Sequence, residues 1–112
     1  MSFISSHPSS STPVIIGAGQ ITFPVPEDIT KAPSHADIAA EASRLAIRDA
    51  SADRDISMHI DTIAAVRTFA DSFPSWNSPF GRADNFPGAI AARLGVRPAR
   101  CIYEIVGGQS PQ

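Results

Sequence analysis

Cysteine is almost absent from this sequence, with Cys101 the only one in 112 residues. One thiol excludes an internal disulfide framework and every metal motif built on several cysteines. It fits a reducing compartment, so the expected location is cytoplasmic. Basic runs are missing too. Nine Lys and Arg face eleven Asp and Glu, for a formal net charge of -2, which provides no electrostatic footprint for nucleic acid or an anionic membrane. Neither is expected as a partner. No apolar run approaches the roughly 18 residues that cross a bilayer, and the N-terminus lacks the basic region and long apolar core of a secretory signal.

What is present suits one globular core. The hydrophobic content is 43%, ordinary for a folded domain, and the length allows one domain and not two. Residues 1–11 are Ser-rich and read as a disordered lead-in, so the folded unit is placed at 12–112. Val14, Ile15 and Ile16 follow Pro13 and run into Gly17 and Gly19, the pattern of a strand buried on both faces that ends in a turn. Pro24, Pro26 and Pro33 make residues 21–34 a loop. Ile38, Ala42, Leu45 and Ala46 then recur at helical spacing, which predicts a helix over 35–50 with Ser34 as N-cap and Asp37 completing a capping box.

The β-branched run 60–69 predicts a second strand, followed by a loop at 70–84 that holds Phe73, Trp76 and Phe80. Residues 85–95 predict a second helix. Asn85 or Asp84 caps it, Pro87 sits in its first turn, Ile90, Ala91 and Leu94 face the core, and Gly95 ends it. A third strand runs over 100–106, and Gly107 and Gly108 then permit a turn into what reads as the opening of another helix at Pro111. The order implies an α/β fold, a βαβαβ parallel sheet with flanking helices. Three strands and two helices are few for such a sheet, so the unit is expected to be incomplete.

Each candidate for chemistry has a plainer reading. Gly17 and Gly19 could open a dinucleotide fingerprint, but Thr22 stands where its third glycine belongs and a Pro-rich loop replaces the required helix. A tight turn is preferred. Cys101 begins an apolar strand, away from any helix N-terminus that would activate it, and is read as a buried structural cysteine. His7, His35 and His59 show no metal spacing. Asp28, Asp61, Asp71 and Asp84 form no acid–base pair by spacing. Trp76 with Phe73, Phe80 and Phe86 suits core packing under a loop better than an acyl pocket.

The segments Thr-Pro-Val-Ile-Ile-Gly-Ala-Gly-Gln (12–20), Ala-Ile-Arg-Asp-Ala (46–50), Ile-Asp-Thr-Ile-Ala-Ala-Val (60–66), Ala-Ile-Ala-Ala-Arg-Leu-Gly (89–95) and Tyr-Glu-Ile-Val-Gly-Gly-Gln-Ser-Pro-Gln (103–112) together resemble the N-terminal part of a thiolase. The branch they resemble is that of acetyl-CoA acetyltransferase-like proteins related to the sterol-carrier thiolases. The resemblance implies the beginning of a two-repeat fold that acts on acyl-CoA, with coenzyme A as co-substrate and no covalently bound cofactor or metal. In that family a cysteine at the turn after the third strand is the nucleophile, and a histidine and a second cysteine from the C-terminal half act as bases.

Carried over by position, the nucleophile falls at Gly108 or Gln109, and neither can perform the attack. The C-terminal bases have no counterpart in these 112 residues. The chain is therefore expected to be a segment of a thiolase-like acyltransferase, inactive alone; the alternative is a non-catalytic thiolase-like interaction or scaffold domain. A small nucleotide-binding domain is a third, minor option. The resemblance also implies a homodimer through the third strand, where Ile102, Tyr103, Ile105 and Val106 (102–106) would otherwise leave an exposed apolar edge.

Overall fold

The computed structural model describes residues 10–51, 54–67 and 85–104. Residues 1–9 of the 1–11 lead-in, the aromatic residues Phe73, Trp76 and Phe80, and the turn with Gly108 and Gln109 lie outside these. A 3-10 turn at Ile29–Lys31 precedes helix α1 (His35–Ala50). A second 3-10 turn at Ser57–His59 precedes strand β1 (Thr62–Val66). Helix α2 (Phe86–Leu94) and strand β2 (Arg100–Glu104) complete the described elements.

The two strands pair in parallel, with Thr62 opposite Arg100 and Val66 opposite Glu104. A parallel pair needs a crossover between its strands, and α2 lies in that connection. This is the α/β arrangement with flanking helices that the sequence implies.

Both helices form where local chemistry starts and stops them. The Ser34 hydroxyl accepts from the Asp37 N–H at 3.1 Å, and the Asp37 carboxylate accepts from the Ser34 N–H at 3.0 Å, which closes the capping box. Asn85 Oδ1 accepts from the Gly88 N–H at 3.1 Å and caps α2, with Pro87 in its first turn. Gly95 ends that helix at φ 72°. Its N–H donates to the Ala92 carbonyl and the Val96 N–H to Ala91, so the last carbonyls are satisfied by a turn that favours glycine.

The core lies between the helices and over the sheet. Ala36 and Ala40 of α1 meet Phe86 and Ile90 of α2, and Ala65 and Tyr103 of the strands pack against the same cluster. Ala36 and Ala40 are one helical turn apart on one face, and their small side chains let the two helices approach closely. Ala40 is fully buried. The buried stripe is therefore Ala36 and Ala40, while Ile38, Ala42, Leu45 and Ala46, singled out by periodicity, are half-buried.

The expected first strand is not formed. Residues 12–20 are irregular, and the sheet among the described residues has two strands. A parallel strand needs a neighbour to accept its ladder bonds, and here the segment crosses α1. A Cβ on Gly17 would come within 2.6 Å of the Ala46 carbonyl oxygen, and one on Gly19 within 2.5 Å of the Ala46 N. The glycine pair serves that crossing rather than a turn or a phosphate. The Ala18 N–H donates to Asp49 Oδ2 at 3.0 Å and fixes it.

Adding a methyl group at this contact forces backbone apart. Gly19→Ala is expected to lower stability by about 1–3 kcal/mol through overpacking in urea unfolding of the 112-residue chain. Gly95→Ala, where a Cβ meets nothing within 4 Å, is expected to lose about 1 kcal/mol through its left-handed φ alone. A loss well below about 1 kcal/mol for Gly19→Ala would refute the close crossing.

Candidate functional site

In open parallel sheets, ligands gather at the carboxyl ends of the strands. Here that end is marked by Tyr103, near the end of β2, and by Arg67, the residue after β1. The Arg67 guanidinium carbon stands 4.2 Å from the centre of the Tyr103 ring, a cation–π contact of about 0.5–1 kcal/mol at a partly exposed position. Phe86 stands tilted against the same ring at a 6.0 Å centroid distance. Tyr103 is thus held between the first residue of α2 and the residue that leaves β1. The chain leaving β2 leads to Gly108 and Gln109, which lie outside the described residues.

Cys101 is exposed, which corrects its reading as a buried structural residue. In a strand, residues two apart share a face, so Cys101 lies on the face of Tyr103. Helix cover from Phe86 reaches Tyr103 and leaves Cys101 open. His35 begins α1 and His59 ends a 3-10 turn, both exposed. Asp28 accepts from the Thr30 hydroxyl at 2.6 Å and from the Thr30 N–H at 3.0 Å, and the backbone carbonyl of Asp61 accepts from the Arg100 N–H at 3.0 Å. Among the described residues no three His, Cys, Asp or Glu converge as metal ligands. Phe86 is buried, as expected of an aromatic used for packing.

The strongest polar contacts lace the two helices together. Arg93 Nε donates to Asp37 Oδ1 at 2.6 Å, and Arg44 donates to the Arg93 carbonyl at 2.6 Å while pairing with Glu41 at 2.9 Å. The Arg93 guanidinium, then the Ser34 N–H and hydroxyl, hold the pKa of the Asp37 carboxyl down at about 2. Spacing alone flagged Asp37 as a cap but could not show its partner, which lies 56 residues on. Arg67 was missed for the same reason: only the fold brings it to Tyr103. The contact of Arg67 and Phe86 with Tyr103 orders the carboxyl end of the sheet.

A solved structure, described as a monomeric SCP2-thiolase like protein type 1 from Mycobacterium smegmatis, has the same fold over this stretch. It is 34% identical, with a TM-score of 0.71, covering 95% of this chain. The chain is thiolase-like. It spans 19% of the length of that protein. No protein-family model matches, and no curated protein does. The thiolase-like relation thus stands on conserved geometry together with identity along nearly the whole chain. No helix among the described residues is long and apolar enough to cross a membrane.

The Asp37 contacts make stability depend on pH. A carboxyl whose folded value is depressed stabilises the fold above its unfolded value and loses that contribution as pH falls. Stability is therefore expected to decline as pH drops from 3.8 to about 2. Asp28 and Asp55 are also lowered, by Thr30 and Ser57 respectively, and act in the same direction. Asp37→Asn isolates its share, and its unfolding midpoint should vary less over that range than the parent's. An unchanged slope would show that Arg93 does not hold Asp37 in solution.

Proposed function

We propose that the chain is the N-terminal segment of a thiolase-like acyl-CoA acyltransferase, cytoplasmic, and without activity by itself. The observation that carries this reading is the match to the Mycobacterium smegmatis protein over 95% of the chain at 34% identity. In the thiolase reaction an activated cysteine takes the acyl group, and bases move the protons. Gly108 and Gln109 occupy the expected nucleophile position and have no thiol. Cys101 lies upstream in β2 and is exposed. The residues in hand supply scaffold for the acyl-CoA site: α2 packs on the sheet, α1 packs on α2, and Tyr103 with Arg67 orders the sheet's carboxyl end.

The alternative, a non-catalytic thiolase-like interaction domain, is favoured by the concentration of exposed apolar side chains between Val14 and Ile29. Thiolysis of acetoacetyl-CoA by coenzyme A tests activity directly. The purified 112-residue chain is expected to give no turnover above buffer. Turnover that disappears with Cys101→Ser would overturn the assignment of inactivity.

Homodimerisation through residues 102–106 is part of the same proposal. β2 has β1 on one side and no other strand on its far edge among the described residues, and an uncovered edge invites pairing. The Mycobacterium smegmatis protein is described as monomeric. Light scattering should give twice the chain mass, falling to one with Ile102→Lys; a single-chain mass at high concentration removes this part of the proposal.

A further inference from the structure

No run of basic residues marks a site along the sequence, yet the fold gathers one. Arg44 and Arg48 are about one turn apart, on the same face of α1. Arg54, in the connector beyond that helix, joins them around a cavity of about 510 Å³. Its apolar lining comes from Ile47 of α1 and Leu94 at the end of α2. A cavity of this size, with an apolar wall and a few charged groups, suits a small organic ligand. Ser57, also in the lining, comes shortly before β1, and Leu94 comes shortly before β2. The cavity therefore lies where the chain enters the two strands, whereas Tyr103 stands where it leaves them.

The protein's own groups account for one of these three guanidiniums. Arg44 pairs with Glu41 at 2.9 Å and donates to the Arg93 carbonyl. Arg48 and Arg54 form no ion pair with a described residue. The carboxylate in the lining, Asp55, is turned to Ser57, whose N–H donates to it at 2.9 Å, and Asp49, next to Arg48 in sequence, accepts from the Ala18 N–H. Arg48 in the last turn of α1 also faces the negative end of the helix dipole, which is the plainer reason for a cation there. That reason does not extend to Arg54, which lies outside every described helix and strand, and like charges one turn apart on a helix repel.

Two cations left over by the protein match a dianion. A phosphomonoester carries about -1.5 to -2 charges at neutral pH and accepts from guanidinium forks, whereas a carboxylate carries one charge. Inorganic phosphate alone would leave Ile47 and Leu94 uncovered. We infer that this cavity binds a small organic phosphomonoester, with its phosphate on Arg48 and Arg54 and its apolar body against Ile47 and Leu94. The Arg44 bond to the Arg93 carbonyl ties the two walls together, so an occupant braces the ends of both helices. The inference goes beyond the acyl-CoA reading and stands without it.

The test is calorimetric titration of the 112-residue chain with phenyl phosphate at neutral pH and physiological salt. The expected result is a single site with a Kd of about 1 mM or tighter, together with a raised Tm, because the ligand binds the folded chain. Benzoate, which lacks the second charge, and inorganic phosphate, which lacks the apolar body, should each bind about tenfold more weakly or worse. Arg48→Gln and Arg54→Gln should each weaken phenyl phosphate by about tenfold, the loss of one charge-assisted contact. Lys31→Gln, exposed and outside the lining, should not. Arg54→Gln alters no helix or strand, so it decides the matter even where Arg48→Gln loosens α1. Affinity should also fall as pH drops from about 7 to about 5, because the phosphate takes up its second proton near 6. Failure to saturate, equal binding of benzoate or of inorganic phosphate, or affinity unchanged in both arginine variants overturns the inference.

Discussion

The close approach of α1 to α2 through Ala36 and Ala40 is the contact on which the other arrangements depend. Alanine at these two positions lets Phe86 and Ile90 reach the helix surface, and the same two side chains then form the roof over Ala65 and Tyr103. A larger residue at Ala40 would lift α2 from α1 and from the sheet together. The Asp37–Arg93 pair and the Arg44 bond to the Arg93 carbonyl sit at the rim of this contact. Exposed pairs of this kind contribute about 0–1 kcal/mol, so they fix register while the buried alanines, Phe86 and Ile90 supply the cohesion.

From that roof the carboxyl end of the sheet acquires its order. Phe86 holds one side of Tyr103 and Arg67 lies over its ring, so the last turn of strand geometry before residues 105–112 is set from two elements. The helices are thus supports for a position further along the chain, and the polar groups at their contact are occupied in capping and lacing.

Both helices were legible in the sequence because their signals are local. Ser34 with Asp37, and Asn85 with Pro87 and Gly95, are start and stop chemistry that needs no partner elsewhere. The strands at 62–66 and 100–104 were legible in place, though the first was read as starting two residues too early. The first strand was not, because Val14, Ile15 and Ile16 state a preference that only a neighbouring strand can realise, and among the described residues none lies beside them. Gly17 and Gly19 looked like turn residues for a related reason: nothing in their spacing reveals the helix they cross. The exposure of Cys101 depends on how far α2 covers the sheet, a tertiary fact that an apolar strand pattern cannot carry. As for the site, the turn at Gly108 and Gln109 lies outside the described residues, and Arg67 became visible only once β1 and β2 were side by side.

The parallel register also governs the order of events as the chain is made. Thr62 and Arg100 are about 38 residues apart, so β1 leaves the ribosome with no mate until β2 has followed it. At ordinary synthesis speeds that interval is on the order of seconds. Helix α1, with its cap encoded within four residues, can form at once. The nascent polypeptide therefore spends this interval with β1 made and its backbone ladder unpaired.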